Sequence, residues 1–194
     1  MKKYLLLAAI CVVNTGFAQS WTKQYNYVDE FKCGLARVDK DGKHGFADKN
    51  GKLVLPLKYD EAMPFQEGMA AVKWNGKWGY ADSTGKEVVA AQYDEAFSFC
   101  EGVAAISKDG LYGFIDKTGA IVIPLQYTGV SGFSEGLAAV SNKKNRYGFI
   151  DKKGQEVIAF KFNYAKSFTD GIAKVMVNEK WMNIDATGKT VKEE

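Results

Sequence analysis

Five copies of one pattern, spaced about 34 residues apart, constrain this chain more than any other feature. Each copy contains a Phe-x-x-Gly corner and, further along, an Asp-x-x-Gly turn. The corner glycines are Gly34, Gly68, Gly102, Gly136 and Gly171, and the turn glycines are Gly51, Gly85, Gly119, Gly154 and Gly188. Both series advance by 34 residues except for one step of 35, so one extra residue lies between Gly136 and Asp151. Such self-similarity indicates structural units that pack on one another.

Hydrophobic spacing decides the kind of unit, because helical hairpins also repeat at 34 residues. Residues 69–72 and 78–82 alternate with a period of two and flank Asn75-Gly76, a pair that favours a type I′ hairpin. A third apolar run, such as residues 121–123, follows each Asp-x-x-Gly turn. The sequence therefore predicts an all-β protein of five tandem 34-residue, three-stranded antiparallel meanders.

The repeat register divides the chain into one domain, residues 19–194, with five units. The predicted units are residues 25–58, 59–92, 93–126, 127–161 and 162–194. In each hairpin one face carries rings and the other small side chains, so we expect rings of one unit to pack on the small face of the next. Gly45, Gly79, Gly113 and Gly148 would then leave room for a ring to approach the backbone.

Two architectures satisfy this stacking. Sheets arranged around an axis form a β-propeller-like fold, and the same units stacked without closing form an open superhelical β-repeat array. Residues 21–25 occupy the third-strand register ahead of the first unit, and the fifth unit ends early. The leading segment could therefore complete the last sheet, which favours closure. Pro56 and Pro124 in the third strand place that strand at an outer edge.

Residues 1–18 are typical of a signal peptide. Lys2 and Lys3 precede an apolar stretch, residues 4–13, and a small-x-small pattern ends at Ala18. The apolar stretch is too short to cross a bilayer. We expect cleavage near Ala18, a secreted or periplasmic protein, and no transmembrane anchor.

Charge and cysteine usage narrow the classes of partner. Without Lys2 and Lys3 the chain has 24 basic and 23 acidic side chains, whereas a nucleic-acid-binding protein would cluster its basic residues. We expect no nucleic-acid partner. The one basic cluster, residues 143–146, is interpreted as a solvated hairpin tip.

Cys33 and Cys100 stand at non-equivalent positions of different units, which predicts two free, mostly buried thiols.

These units resemble the WG-repeat family of bacterial proteins, also described as KWG repeats. The family pattern matches residues 68–89 through Lys77-Trp78-Gly79-Tyr80, and units three and four carry Tyr-Gly-Phe-Ile-Asp in the same place. The fifth unit departs from it with Trp181-Met182-Asn183, which suggests a terminal cap. The resemblance implies extracytoplasmic or modular binding repeats and no general activity.

No residue set in the sequence points to catalysis, a metal or a cofactor. The five turn aspartates recur at one repeat position, which indicates a structural role in capping the turn. His44, the only histidine, stands where other units place a ring, and we read it as a packed substitute. Glu67, Glu101 and Glu135 precede corner glycines, where a structural role is also expected.

Trp74 is the candidate ligand-binding residue. It abuts the Asn75-Gly76 turn where other units have a polar residue, so it is either an exposed anchor or a ring that lies against its neighbours. We expect a non-enzymatic scaffold that binds a protein or cell-envelope component. The alternatives are a carbohydrate-binding module using Trp74 and, third, a glycosidase-like enzyme using the corner carboxylates.

Overall fold

The computed structural model describes residues 20–191, and they form β-sheet apart from one 3-10 helix, Ser20–Gln24. The first sheet contains β1 (Tyr27–Val28), β2 (Leu35–Lys40), β3 (Lys43–Asp48) and β4 (Leu53–Tyr59). The second contains β5 (Glu61–Ala62), β6 (Met69–Trp74), β7 (Lys77–Asp82) and β8 (Glu87–Tyr93). The third contains β9 (Glu95–Ala96), β10 (Val103–Lys108), β11 (Leu111–Asp116) and β12 (Ile121–Tyr127).

The two remaining sheets follow the same plan. The fourth contains β13 (Gly129–Val130), β14 (Ala138–Ser141), β15 (Tyr147–Ile150) and β16 (Glu156–Phe162). The fifth contains β17 (Tyr164–Ala165), β18 (Ile172–Val177), β19 (Lys180–Asp185) and β20 (Thr190–Val191). Strands pair in chain order and antiparallel in every sheet.

The predicted meanders are confirmed, and each gains a fourth strand of two residues at its start. The hairpins turn where the sequence predicted, with positive φ angles of 51° at Asn75 and 76° at Gly76. The extra strand, such as β5, pairs only through Glu61 and Ala62. Two residues are too few to show a hydrophobic period, so this strand could not be predicted from the sequence.

A wide bulge in the outer strand explains why units one to four have a glycine in the second hairpin strand. Trp78 pairs with Tyr93 and Tyr80 with Val89, so three residues of β8 lie opposite Gly79 alone. A Cβ at Gly79 would lie 2.8 Å from the backbone nitrogen of Ala91. The expectation that these glycines make room for a ring is therefore wrong, because the neighbouring strand's backbone fills that space. Pro56 and Pro124 lie in the equivalent bulges.

The core consists of interfaces between successive sheets, as the two-faced hairpins predicted. Phe46 and Leu55 of the first sheet pack with Ala70, Val72 and Ala81 of the second. Each corner phenylalanine also lies on a ring of the preceding unit. The pairs, with ring-centroid distances, are Phe65 on Phe46 (4.8 Å), Phe99 on Tyr80 (5.1 Å), Phe133 on Phe114 (4.9 Å) and Phe168 on Phe149 (4.9 Å).

The five sheets do not close, which fits the open alternative. Within residues 20–191 no strand of the fifth sheet pairs with the first. The prediction that residues 21–25 complete the last sheet is wrong. Instead the 3-10 helix places Trp21 against Gly51, where a Cβ would lie 2.7 Å from the indole. Later turn glycines meet Val54, Val89, Ile123 or Ile158 of the preceding unit, so Trp21 lies at Gly51 where those side chains lie in later units.

The opposite end is altered in sequence. The cross-strand pair Lys174 and Asn183 occupies the position of Ala71 and Tyr80, so polar groups stand where other sheets present rings to a following unit. The fifth sheet therefore differs from the second on this face, and the terminal cap expected there stays a prediction. The signal peptide predicted for residues 1–18 lies outside the described residues.

Candidate ligand-binding grooves

The repeated aspartates cap their turns. The Asp82 carboxylate accepts hydrogen bonds from the Thr84 amide (2.9 Å), the Thr84 hydroxyl (2.6 Å) and the Lys86 amide (3.1 Å). The Thr84 contact outweighs the opposing effect of burial and lowers the pKa of Asp82. The other four turn aspartates accept amide hydrogen bonds in the same way. This structural role matches the expectation from their repetition.

The corner glutamates join neighbouring units. Glu101 accepts a hydrogen bond from the Gly136 amide (3.1 Å), and Lys152 contacts its carboxylate at 3.0 Å. Burial alone would raise the pKa of Glu101, but the contacts with Lys152 and Gly136 lower it. Glu67 is held in the same way by Lys117 and Gly102. These carboxylates therefore connect one sheet to the next.

The two cysteines and His44 match the expectations from sequence only in part. Cys33 and Cys100 are unpaired, but Cys33 is exposed, because it stands at the corner position that Glu67 occupies in the next unit. Burial raises the pKa of the half-buried Cys100 thiol. His44 occupies the ring register opposite Tyr59, and its Nδ1 contacts the Asp39 carboxylate, a polar partner that the sequence did not reveal.

One repeat position forms a groove on the outside of the array. There the end of one unit's outer strand faces the hairpin tip and the bulge of the next unit. We name two such grooves by their aromatic residue. The Trp74 groove consists of Lys58, Tyr59, Trp74, Glu87 and Ala91, and the Phe160 groove consists of Gln126, Tyr127, Asn142, Lys143, Lys144 and Phe160.

The Trp74 groove is largely filled by its own residues. Trp74 is 42% exposed, and the Lys58 ammonium lies 4.6 Å from the centre of its ring. Lys58 also contacts the Glu87 carboxylate at 2.6 Å, and Tyr59 donates a hydrogen bond to the same carboxylate (3.0 Å). A cavity of about 250 Å³ remains beside the ring. The groove is therefore aromatic, shallow and balanced in charge.

The Phe160 groove is larger and carries positive charge. Its cavity is about 530 Å³. Tyr127 and Phe160 stack with ring centroids 6.3 Å apart and planes 18° apart. The hairpin tip is stabilised by Asn142, whose side-chain oxygen accepts hydrogen bonds from the Lys144 amide (2.9 Å) and the Arg146 amide (3.2 Å). Lys143 and Lys144 line the cavity.

The aromatic residue comes from opposite sides in the two grooves. At the bulge position, Ala91 in unit two corresponds to Phe160 in unit four, because each is the middle one of the three outer-strand residues opposite the hairpin glycine. At the hairpin position, Trp74 corresponds to Asn142. The large side chain therefore comes from the hairpin in one unit and from the outer strand in the other.

The sequence identified only one of the two grooves. Trp74 stood out because it abuts a turn, and the structure places it on the surface, 42% exposed, with the Lys58 ammonium over its ring. Its role in ligand binding stays a prediction. Phe160 was missed because a phenylalanine in a strand looks like core. The available signal was that Leu57, Ala91 and Leu125 occupy the same place in other units.

Among residues 20–191 no three His, Cys, Asp or Glu side chains form a group that could hold a metal ion. In the same residues no helix has the length and apolar character needed to cross a bilayer.

The sequence profile described as WG containing repeat matches five segments of this chain. They are residues 22–43, 45–78, 78–112, 112–145 and 147–181. Together they cover most of the chain, and the chain belongs to the WG-containing repeat family. No curated protein sequence is significantly similar to it.

Solved structures share the fold at low identity. The extracellular domain of BT4673 from B. thetaiotaomicron, described as a one-component system, is similar with a TM-score of 0.50 at 11% identity, over 87% of this chain and 28% of that one. Hsv2 of Kluyveromyces lactis is similar with a TM-score of 0.54 at 12% identity, over 82% and 58%. The chain thus spans about a quarter to under two thirds of these proteins' lengths. Such matches support a propeller-like β-repeat architecture and carry nothing on activity.

Proposed function

We propose that this protein is an exported, non-enzymatic repeat scaffold that binds a protein or another cell-envelope component. One observation carries the proposal. The polar residues shared by the units are engaged in turns and in contacts between units, whereas the outer grooves differ from unit to unit. A scaffold that keeps its frame constant and varies its surface is suited to selective binding.

The glycosidase alternative finds little support in the corner carboxylates. A general acid in glycoside hydrolysis needs a raised pKa, so that it is protonated at working pH. Glu67 and Glu101 have lowered pKa values, because the lysine and amide contacts outweigh their burial. An assay with chromogenic glycosides, comparing the wild-type chain with Glu101→Gln, tests this alternative directly.

Carbohydrate binding through Trp74 is the second candidate function. An exposed indole beside a small cavity suits the apolar face of a sugar ring. Glu87 and Lys77 at the same cavity offer a hydrogen-bond acceptor and donor for sugar hydroxyls. This proposal predicts a glycan-array signal that Trp74→Ala removes.

Capture from cell-envelope extract tests the main proposal. Immobilised protein should retain a specific partner, and substitutions in the grooves should reduce its recovery. Thr187→Ala, in a turn of the last unit, serves as a surface control away from both grooves. Repeated capture that yields nothing beyond the control surface would count against a scaffold role.

Export belongs to the same proposal. The signal predicted at residues 1–18 would direct the chain out of the cytoplasm. Mass spectrometry of the protein purified from its natural host should find a mature amino terminus at about Gln19. Recovery of the intact amino terminus in the cytoplasmic fraction would contradict it.

A further inference from the structure

We infer that the Phe160 groove is a binding site for a saccharide that bears a negative charge, either a carboxylate or a phosphate. The inference goes beyond the proposed function, because it concerns a different groove from Trp74 and does not require a protein partner. It rests on the shape of the cavity, on the groups that line it, and on the way the hairpin tip holds its lysines.

The cavity has the size of a small-molecule site. Its volume of about 530 Å³ falls in the range of roughly 300–1,000 Å³ that ligand pockets occupy. Its walls come from three separate pieces of chain: the end of β12, the hairpin tip between β14 and β15, and the bulge of β16. A ligand that fits there contacts two successive units at once.

The lining offers the three kinds of contact that a charged sugar needs. The Phe160 ring, which stacks on Tyr127, gives an apolar surface for the C–H groups of a pyranose. Gln126 and Asn142 supply side-chain amides for hydroxyl groups. The Asn142 oxygen already accepts two backbone amides, which leaves its NH₂ group as a donor.

Two lysines supply the charge. Within residues 20–191, Lys143 and Lys144 have no carboxylate within ion-pair distance, whereas Lys43 and Lys77, at the hairpins of the first two units, each pair with an aspartate. The Glu156 carboxylate acts on the Tyr127 hydroxyl but does not line the cavity. The hairpin tip is ordered by the Asn145 amide, which donates to the Asn142 carbonyl at 2.8 Å. The lysines are thus presented on a fixed turn.

An acidic peptide fits this groove less well. Extended peptides gain affinity by adding a strand to a free sheet edge. The edge here is β16, and its pairing with β15 shifts register between Tyr147 and Phe149, which marks the bulge. A bulge interrupts the regular row of edge groups that strand addition requires. A compact ligand with a ring face suits the groove better.

The test is isothermal titration of the full chain with four probes. These are trigalacturonic acid, mannose 6-phosphate, neutral galactotriose and a hexaglutamate peptide. We expect measurable binding of at least one of the two anionic sugars, with affinity that falls as NaCl is raised. The arm that binds tells carboxylate from phosphate. Absence of binding for both, or equal binding of galactotriose or hexaglutamate, would overturn the inference.

Three variants locate the site. The double substitution Lys143→Ser with Lys144→Ser should weaken anionic-sugar binding about tenfold, the loss expected for two exposed charge contacts. Phe160→Leu, which installs the residue that unit three has at this position, should weaken it about threefold while keeping the core filled. Thr187→Ala, in a turn of the last unit away from both grooves, should leave it unchanged.

Two outcomes of the variant series would also overturn the inference. If Phe160→Leu has no effect while the lysine substitutions do, the probe is held by charge alone and no sugar site exists. If Trp74→Ala abolishes binding, the sugar lies in the other groove. Circular dichroism of each variant confirms that the fold is retained. A failed capture experiment with envelope extract would not bear on any of these readouts.

Discussion

The Trp74 groove and the Phe160 groove occupy the same place in the repeat but differ in what fills them. In the first, a hairpin tryptophan lies over a small Ala91, and Lys58 and Glu87 neutralise each other. In the second, a strand phenylalanine faces the smaller Asn142, Gln126 stands in place of Lys58, and two lysines enter with the longer turn. Replacements at these positions together with one extra hairpin residue distinguish a filled, neutral surface from an open, basic one.

The comparison of these two units shows that the large side chain of the groove can come from either of two positions. A large residue on the hairpin goes with a small one on the bulge, and the reverse holds two units later. The frame beneath is common to both, so function can diverge at the surface without changes in the sheets. Four measurements test parts of this account.

The largest effect is expected at the glycine below each groove. In Gly148→Ala the added Cβ would lie 2.7 Å from the Ile158 carbonyl oxygen, and in Gly79→Ala it would lie 2.8 Å from the Ala91 nitrogen. Backbone must move in both, so each should lose about 3 kcal/mol of stability in urea unfolding. Gly102→Ala is the control, because nothing lies within 4 Å of its Cβ and only the φ of +88° is strained. A tolerated substitution in one groove would show that the two frames differ.

The exchange of large and small residues predicts a coupled pair. Ala91→Phe should destabilise the chain by about 1 kcal/mol, because the new ring competes with Trp74 for one space but both positions are exposed. The double variant Ala91→Phe with Trp74→Asn should recover about half of that loss. Chemical denaturation of the two single variants and the double variant gives the coupling energy. Strictly additive effects would mean that the two positions do not share the groove.

The ion pair of the Trp74 groove predicts a response to acid. The hydrogen bond from Lys58 outweighs burial and, with that from Tyr59, lowers the pKa of Glu87. The folded-state pKa is therefore below the unfolded value, so the stabilisation is complete above about pH 4.3 and is lost as the pH falls further.

Glu87→Gln should flatten this part of the acid response, by less than about 1 kcal/mol because the pair is partly exposed. Lys58→Gln, which installs the residue of the Phe160 groove, should do the same. The melting temperature between pH 6 and pH 3 provides the measurement. Two variants that keep the full wild-type acid response would show that the pair does not contribute.

The smallest effect is expected for the basic turn. Replacing both Lys143 and Lys144 with Ser should change stability by less than about 0.5 kcal/mol, because neither makes an ion pair in the described part of the chain. Lys117→Ser is the comparison, since its ammonium donates to the Glu67 carbonyl at 2.8 Å and joins two units. The melting temperature should fall more for Lys117→Ser than for the double variant. A large loss in the double variant would give the turn a structural role.

The repeated part of the fold was predictable from sequence, because the same signals occur five times. Hairpin turns such as Asn75-Gly76 specify strand pairing locally, and alternation of residues 69–72 separates the two faces. The bulge was not predictable in the same way. A glycine opposite it is compatible with a nearby ring or a nearby backbone, and only the three-dimensional register shows which is present.

The ends and the second groove depend on contacts between residues far apart in the chain. Trp21 lies in the register of an outer strand, yet it joins a 3-10 helix and packs on Gly51. Phe160 belongs to a groove only because Asn142 and the longer turn leave space opposite it. Trp74 could be identified from the sequence because its unusual feature is local: a large ring stands beside a two-residue turn.

The arrangement of the ends has a consequence for how such a chain can grow. Trp21 lies at Gly51 where side chains of the preceding unit lie in later units, and Lys174 with Asn183 marks the last sheet, so the three sheets between them present matching faces in both directions. An in-frame duplication of residues 93–126 in the gene would insert a further sheet whose neighbours are already complementary. Length can thus change by whole units during evolution, and each inserted copy brings a fresh outer groove for selection to alter.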